Sequence, residues 1–214
     1  MARPVLTNCR LYGILDLSYV ELSDVERIAH DLIRGGVDLL QLRGKTLPHA
    51  ELETVARSVF SITLTHGVPL IVNDHPEITH AVGCEGVHVG QDDLSVTKAR
   101  AAVGSDCLVG KSTHSVAQAI AAEHEGADYI GFGPLFATPT KPEYTPIGTR
   151  EIAELHARVR IPIFCIGGIK LENLADVIHA GARRVVIVSG LLQAPDVAEY
   201  ARAAQRQLEA AAEK

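Results

Sequence analysis

Eight short apolar runs recur along this chain, and their regular spacing constrains its fold more than any other feature. They are rich in Val, Ile and Leu and do not alternate strictly with polar residues. This pattern is typical of strands buried on both faces of a parallel sheet. The sequence predicts strands over Leu11–Leu15, Val37–Leu42, Pro69–Val72, Gly86–Val89, Cys107–Val109, Asp128–Gly131, Ile161–Ile166 and Arg184–Val188.

The segments between these runs have the character of helices. Ser23 is expected to open the first helix, with Glu26 in capping-box spacing, and Gly35-Gly36 to end it. Pro48 fits the first turn of the second helix. Later helices are expected to begin near Pro76, Ser95, Ser115, Thr149, Leu171 and Pro195. The last, Asp196 to Glu213, is Ala-rich with mixed charge and is expected to be a surface helix.

The alternation of strand and helix indicates the fold class. Eight strand–helix units in 214 residues allow roughly 27 residues for each unit, which suits a βα unit with short loops. An open doubly wound sheet also alternates in this way, but it rarely holds eight units in so short a chain. Because no linker-like stretch interrupts the pattern, residues 1–214 are predicted to form a single α/β domain, a (β/α)8 TIM barrel.

Composition and charge exclude several classes of function. The chain is 47% hydrophobic and 21% charged, which is the profile of a globule with a full core rather than of a disordered chain. Its formal net charge of −6 and its lack of Trp argue against a nucleic-acid partner and against an anionic membrane surface. The expected partners are therefore small molecules, with no nucleic acid and no membrane, and a homo-oligomer is compatible with the sequence.

The expected location is the cytoplasm. Met1 to Asn8 has no charged region followed by an apolar stretch, and no apolar run approaches the ~20 residues needed to span a bilayer. The four cysteines have no CxxC spacing, and we interpret them as reduced, mostly buried thiols rather than as metal ligands or disulfides.

Charged residues gather where the predicted strands end, which is where βα barrels place their functional groups. Arg43, Lys45 and Lys141 supply cations that suit phosphate oxygens. Asp74 and Asp93 follow neighbouring strands, and two carboxylates suit a Mg²⁺ ion. We predict a metal–diphosphate site on this basis. The alternative is that these residues form salt bridges among themselves.

A second anion site is predicted after strands 7 and 8. Gly168 and the turn Val188-Ser189-Gly190 follow these strands, whose loops frequently bind a phosphate through backbone N–H groups. The proline-rich loop 132–148 after strand 6 is too long for a simple connector, and loops of this kind often act as lids.

Six motifs then resemble the thiamine phosphate synthase family in order and spacing. They are Gln41-Leu-Arg-Gly-Lys45, Asn73-Asp74, Val87-His-Val-Gly-Gln-Asp-Asp93, Gly110-Lys-Ser-Thr-His-Ser115, Thr138-Pro-Thr-Lys141 and Ile166-Gly-Gly-Ile169. The resemblance covers Tyr12 to Leu191 and implies a single βα barrel. It also implies that a hydroxymethylpyrimidine diphosphate is joined to a thiazole phosphate, in its carboxylate form, with release of diphosphate.

The resemblance implies a role for each matching residue. The pyrimidine-diphosphate segment is Gln41, Leu42, Arg43, Gly44 and Lys45, with further diphosphate contacts from Asn73 and Lys141. The Mg²⁺ ligands are Asp74 and Asp93, and Ser112 contacts the pyrimidine. The thiazole-phosphate contacts are Thr138, Pro139, Thr140, Gly168, Val188 and Ser189. Arg43, Lys45, Lys141 and Ser112 are the expected catalytic residues, acting in a Mg²⁺-assisted dissociative substitution.

Two positions depart from the family pattern. His75 stands where the family usually carries Arg, and Lys111 stands where small residues are common. Lys111 is either an extra cation at the mouth or a solvated side chain. His88, inside strand 4, is either a satisfied core histidine or a direct participant.

Three other functions stay open at this point. A thiazole tautomerase is a close relative of the family, and its acid–base histidine would correspond to His114. A non-catalytic thiamine-phosphate-binding regulator would not need the two metal ligands. A Schiff-base aldolase would use Lys45 or Lys141, but both lie on polar loops, where a depressed pKa is harder to obtain.

Overall fold

The computed structural model describes residues 4–138, 140 and 144–212, and it contains a closed barrel of eight parallel strands. In chain order the strands are β1 (Leu11–Asp16), β2 (Leu39–Arg43), β3 (Leu70–Asn73), β4 (Gly86–Val89), β5 (Leu108–Thr113), β6 (Tyr129–Phe132), β7 (Ile163–Cys165) and β8 (Val185–Ile187). Each strand pairs with its neighbours in sequence, and β1 pairs with β8 to close the barrel. The predicted (β/α)8 TIM barrel is confirmed.

Helices follow the strands and surround the barrel. They are α1 (Val25–Arg34), α2 (His49–His66), α3 (Pro76–Val82), α4 (Val96–Val103), α5 (Val116–His124), α6 (Ile152–Arg158), α7 (Leu171–His179), α8 (Ser189–Leu192) and α9 (Val197–Ala212). Within the described residues, no helix combines the length and the apolar character that crossing a membrane requires.

The core has two layers because successive strand residues point in opposite directions. Residues that point outward, such as Leu40, Leu42 and Val72, pack against the helices. Residues that point inward fill the barrel, where Tyr12, Tyr129 and Phe164 meet edge to face. Both faces of each strand are therefore buried, which explains the continuous apolar runs of the sequence.

The predicted helix starts near Pro76, Ser95, Ser115 and Leu171 are confirmed, whereas the start signals at Ser23 and Pro48 are wrong. The Ser95 and Ser115 side chains accept hydrogen bonds from the third residue along, as N-caps do. The capping box of Ser23 and Glu26 is absent, because α1 begins at Val25 with no side-chain cap and Glu26 instead accepts a hydrogen bond from Ser58. Pro48 precedes α2 rather than lying in its first turn.

The C-terminal part of the chain differs from the prediction in two ways. The predicted turn after β8 is the one-turn helix α8, which begins at Ser189. Helix α9 is not only a surface helix, because its Ala201, Ala204 and Leu208 are buried and it contacts α1 and α7. The four cysteines are free thiols, as predicted, and only Cys107 is not fully buried.

Candidate active site

A pocket of about 920 Å³, measured out to its open mouth, lies at the carboxyl ends of the strands. Concave sites at the strand ends of a barrel are where small-molecule ligands commonly bind. Its wall brings together many of the residues singled out from the sequence: Gln41, Arg43, Asn73, Ser112, Thr138, Thr140, Gly168, Val188 and Ser189. They come from six of the eight strand ends or the loops that follow them, so the barrel assembles the site from residues far apart in sequence.

Arg43 enters the pocket as half of a buried ion pair. Its Nη1 donates to Oδ2 of Asp16 at 2.5 Å, and Asp16 is only 1% exposed. The backbone N–H and the hydroxyl of Ser18 donate to the other oxygen of Asp16. A guanidinium group has five N–H donors, so this pair fixes Arg43 in place and leaves donors for a ligand. Asp16 was not assigned a role from the sequence.

Lys45 and the two predicted metal ligands lie beside Asn73. The Lys45 Nζ is 3.2 Å from Asp74 Oδ2, and the Asn73 amide donates to the same oxygen at 2.6 Å. The Asp93 carboxyl group is within hydrogen-bond reach of Asp74. Burial and the neighbouring Asp93 raise the pKa of Asp74, and Lys45 only partly offsets them. The two acidic groups are thus held together despite their mutual repulsion.

The backbone of Asp74 is strained. Its φ of +63° makes it the one non-glycine residue with positive φ in the described part of the chain. Its N–H donates to the carbonyl oxygen of His88 at 2.8 Å, which helps to hold this conformation. Non-glycine residues in such regions are typical of functional sites. This turn directs the Asp74 carboxyl group towards Asp93 and Lys45.

This donor set fits a Mg²⁺ ion. Hard divalent cations prefer carboxylate oxygens and usually take one or two carboxylates together with water and phosphate oxygens. Asp74 and Asp93 offer such a pair. Burial and the proximity of Asp93 raise the pKa of Asp74, and a bound cation would relieve the repulsion between the two carboxylates. Asp74 and Asp93 would be the protein ligands of that ion.

The start of the loop after β6 is anchored on the end of β7. Leu135 N donates to Ile166 O, and Phe136 N donates to Gly167 O, so the loop follows the end of β7. Gly167 has a φ of +98°, and a Cβ atom there would lie 2.4 Å from Pro134 Cα. This close approach explains the glycine pair of the sequence motif. It also brings the Thr138 region to the pocket.

Part of the predicted site lies outside the described residues. Pro139, Lys141 and Pro142 fall in this category, so the third predicted cation and the closure of the loop stay predictions. Thr140 is described, and its hydroxyl lies 3.0 Å from that of Tyr19, while its N–H donates to Thr138 Oγ1.

Leu42 and Gly44 do not line the pocket. Leu42 is fully buried in the layer between the barrel and the helices, because it alternates with the inward-pointing Gln41 and Arg43. A Cβ atom at Gly44 would meet Leu52 and Leu17 at less than 3 Å, so Gly44 packs against the helix layer. Any contact with a ligand from these two residues would come from the backbone.

Lys111 fits neither of its two predicted roles. It is only 7% exposed, and its Nζ donates to Gly90 O at 2.7 Å, with Leu94 O at 3.5 Å. Because Ser112 points into the pocket, its neighbour Lys111 points away from it. Lys111 therefore fastens the loop that carries Asp93, whose carboxylate accepts the N–H of Gly90.

A chain of hydrogen bonds crosses the floor of the pocket. Gln41 donates to the Tyr12 hydroxyl at 2.6 Å, which is 3.0 Å from the Tyr129 hydroxyl. His88 lies between that hydroxyl, at 3.2 Å, and the Ser112 hydroxyl, at 3.0 Å. Burial raises the pKa of both tyrosines, so the phenols stay protonated. His88 is buried and satisfied, as a core histidine would be, and it also lines the pocket.

Sequence reasoning missed Tyr12 and Tyr129 as parts of this floor. Both lie inside predicted strands rather than at the strand ends, and attention to strand ends alone passes over them. The signal that was present is a polar hydroxyl on an inward-pointing position of an otherwise apolar strand. Such a group needs a partner when it is buried, and here each phenol finds one.

His114 lines the pocket with one nitrogen engaged. Its Nδ1 lies against the carbonyl oxygen of Gly133 and therefore donates to it, which leaves Nε2 as an acceptor in the neutral form of the ring. Nε2 is buried and has no hydrogen-bond partner among the residues that the structure describes. The ring stacks at 4.6 Å on Tyr144. The histidines within helices are exposed, except His156, which is half-buried on α6.

Comparison with known proteins agrees with this geometry. Residues 11–191 match the profile of the family described as thiamine monophosphate synthase. A thiamine-phosphate synthase of Shouchella clausii is 41% identical over 206 residues, covering 96% of this chain and 97% of that protein. One from Caldanaerobacter subterraneus is 41% identical over 182 residues, covering 85% of each. A thiamine phosphate pyrophosphorylase structure from Pyrococcus furiosus superposes with a TM-score of 0.86 at 26% identity, covering 95% of this chain and 96% of that one.

The fold and the pocket define an enzyme of the (β/α)8-barrel class. Such enzymes have their active sites at the carboxyl ends of the strands, which is where these charged groups converge. The matches are close and cover most of the chain. The chain belongs to the thiamine monophosphate synthase family, and it is accordingly a transferase of thiamine biosynthesis.

Proposed function

We propose that this enzyme joins the pyrimidine diphosphate to the thiazole phosphate, or to its carboxylate form, and releases diphosphate. The observation that carries the proposal is the arrangement of charge around one pocket. At the ends of β2 to β4, Arg43 and Asn73 line the pocket, and Lys45 and the acidic pair lie beside Asn73. At the ends of β7 and β8, Gly168 and Ser189 line it. In an eight-stranded barrel these two groups of strands face each other, so the pocket has two anion-binding ends.

The diphosphate belongs at the end formed by β2 to β4. Arg43 offers the donors that Asp16 leaves free, and Lys45 offers an ammonium group that is half exposed. A guanidinium forks onto phosphate oxygens, and an ammonium group acts as a point charge. Lys141, which lies outside the described residues, would add a third cation there.

Asp74 and Asp93 would hold Mg²⁺ at the same end. When bound, the ion supplies positive charge that stabilises the departing diphosphate. The role of Lys45 is then double, because it pairs with Asp74 and also lies at the half-exposed edge where the diphosphate would enter. The role of Lys111 is to keep the Asp93 loop in place.

The thiazole phosphate belongs at the end formed by β7 and β8. Gly168 brings the backbone close to the ligand, and its φ of +64° is one that glycine adopts without cost. Thr138 and Thr140 add hydroxyl groups from the β6 loop. With the phosphate fixed at this end, the thiazole nitrogen would face the pyrimidine methylene group.

The bond changes need no general base. The methylene C–O bond breaks, diphosphate leaves with the electron pair, and the electron-rich aminopyrimidine stabilises the resulting cation. The thiazole nitrogen then donates its lone pair to form the C–N bond, and no proton is removed from it. With the carboxylate form, carbon dioxide must also leave, and the ring carbon that carried it takes a proton from water. This dissociative substitution suits a floor of neutral phenols and amides, with Ser112 placed by His88 to contact the pyrimidine.

A coupling assay tests the proposal. The full chain is mixed with both substrates, with one of them, or with neither, in Mg²⁺ or in a chelator. Product formed only with both substrates and the metal supports the transferase. Asp74→Asn and Asp93→Asn should each lose most of the activity, whereas Asp106→Asn, a change at an exposed position, should not. Full activity in chelator would remove the role of Mg²⁺.

Thiazole isomerisation is the second candidate, and His114 is the observation that favours it. Its Nε2 is buried without a partner among the described residues, and in the neutral ring this nitrogen could accept a proton as a base does. The same assay separates the two functions, because an isomerase changes the thiazole phosphate without consuming the pyrimidine diphosphate.

Three wider properties are proposals of the same kind. We propose one domain over residues 1–214, a cytoplasmic location and a protein able to form a homo-oligomer. Limited proteolysis tests the first, cell fractionation the second and light scattering the third.

A further inference from the structure

A cluster of three potential metal ligands lies outside the pocket wall. His49 is the first residue of α2, His75 precedes α3, and Glu77 lies in the first turn of α3. The His75 Nδ1 is 2.8 Å from Glu77 Oε1, and His49 Nε2 is 3.2 Å from the same oxygen. The three ligand atoms lie within 4.8 Å of one another. One carboxylate oxygen is thus approached by two imidazole nitrogens.

The donor chemistry differs from that of the Asp74 and Asp93 pair. Two imidazoles and one carboxylate suit Zn²⁺ and related transition metals, whereas Mg²⁺ prefers oxygen ligands alone. Metal–ligand bonds of about 2.0–2.2 Å in a tetrahedral site place neighbouring ligand atoms roughly 3.3–3.5 Å apart. The observed separations of 2.8 and 3.2 Å are close to this, so small side-chain rotations would complete the site.

The cluster is also accessible to an ion. The side chains of His49 and Glu77 are 51% and 53% exposed, and that of His75 is 34% exposed. The two histidine rings meet edge to face, with 5.8 Å between their centroids. The N-terminal ends of α2 and α3 carry partial positive charge, and Glu77 offsets it.

We propose that His49, His75 and Glu77 form a binding site for one Zn²⁺-class transition-metal ion, separate from the Mg²⁺ site. Water would complete the coordination. His75 follows Asp74 directly, so the ion would lie beside the mouth of the pocket. His75 is the residue that stands where the family usually carries Arg, and this difference supplies one of the three ligands. The proposed site does not depend on the coupling reaction.

Calorimetric titration of the tag-free, chelator-treated full chain with Zn²⁺, in excess Mg²⁺, tests the site. We expect one ion per chain. His49→Ala, His75→Ala and Glu77→Gln should each weaken binding at least tenfold. Co²⁺ bound at the same place should give the visible absorption of a four-coordinate ion, and each substitution should abolish it. Circular dichroism of each variant checks that it is folded.

Matched controls separate this site from other places where Zn²⁺ could bind. His30 and His66 form a second pair of exposed histidines whose rings are 5.6 Å apart, and His30→Ala and His66→Ala should leave binding unchanged. Asp74→Asn and Asp93→Asn should also leave it unchanged. The proposal would be overturned if the wild-type chain did not bind Zn²⁺ measurably, or if the three ligand variants bound it as tightly as wild type. Loss of binding in Asp74→Asn would also overturn it.

Discussion

Lys45 and Asp74 form an ion pair at the β2–β4 end of the pocket, where a cation proposed for the diphosphate meets the acidic pair. Removing the ammonium group should affect the charge of the transition state more than it affects the fold, because the Lys45 side chain is half exposed. We therefore expect Lys45→Met to lower kcat/KM at least tenfold, which is about 1.4 kcal/mol of barrier.

The matched control is Lys98→Met, at an exposed position of α4. Steady-state rates and a thermal unfolding curve of both variants are compared with wild type. A Lys45→Met enzyme with unchanged kcat/KM would contradict the assignment. Loss of activity together with loss of thermal stability would instead point to a structural role.

Lys111 provides a second prediction for a single residue. Replacing it by Met removes the donor to Gly90 O and loosens the loop that carries Asp93. We expect a several-fold higher Mg²⁺ concentration for half-maximal activity, with kcat at saturating Mg²⁺ within about twofold of wild type. Activity as a function of Mg²⁺ concentration measures this. An equal loss of activity at every Mg²⁺ concentration would contradict a role in positioning Asp93.

At this scale the sequence predicted which residues meet but not how they are paired. Strand-end position was enough to bring Arg43, Asp74 and Asp93 to one mouth. It could not show that Asp16 holds Arg43, because Asp16 lies on another strand and its charge alone does not tell which cation it pairs with. Lys111 was misread because one step along a strand reverses the direction of a side chain.

At the scale of elements, the contact between the β6 loop and the end of β7 depends on Gly167. An alanine there must adopt a φ of +98° and place its Cβ 2.4 Å from Pro134 Cα. The backbone conformation alone costs roughly 1–2 kcal/mol, and overpacking adds about 1–3 kcal/mol. We expect Gly167→Ala to lower the free energy of unfolding by more than the conformational cost alone, as measured by urea denaturation.

Gly148→Ala is the matched control in the same loop. Its φ is +71°, and nothing in the described part of the chain lies within 4 Å of the Cβ position, so only the conformational cost is expected. If the two variants were equally destabilised, the close packing of the β6 loop on β7 would not contribute to stability.

Helices and strands were predicted best where a local sequence signal, rather than a tertiary contact, sets their position. The apolar runs located all eight strands, and the serine caps of α4 and α5 were readable from their spacing. The spacing of Ser23 and Glu26 suggested a cap, but a tertiary contact with Ser58 took the glutamate instead. The short helix α8 has too few residues to show any periodicity.

At the scale of the whole molecule, buried thiols link stability to alkaline pH. Burial raises the pKa of Cys84 and of Cys165 from 9.0 to about 12. Between these values the unfolded chain has released protons that the native protein keeps, so a rise in pH favours unfolding. The free energy of unfolding should be unaffected by these groups below pH 9 and should fall above it, by at most about 1.4 kcal/mol per pH unit for each thiol.

Urea denaturation between pH 8 and 11 measures this dependence. Cys165→Ala should show a shallower decline with pH than wild type, even though it is less stable at every pH. Cys107→Ala is the control, because Cys107 is only half-buried and its removal should change the slope less. Parallel curves for all three proteins would contradict the assignment.

The fold as a whole was predictable because a repeated strand–helix unit leaves few ways to bury every strand. The two-layer core follows from the same repeat, since strands buried on both faces need helices outside and side chains inside. The hydrogen-bonded floor was not predictable in the same way, because it depends on which inward-pointing side chains meet across the barrel.

The most direct test of the account is a crystal structure with Mg²⁺ and a non-reactive analogue of the pyrimidine diphosphate. We expect the diphosphate oxygens to contact Arg43 and Lys45, with the metal bound by Asp74 and Asp93 and the pyrimidine ring beside Ser112. A diphosphate bound instead at Gly168 and Ser189, or a metal remote from Asp74 and Asp93, would contradict the central claim.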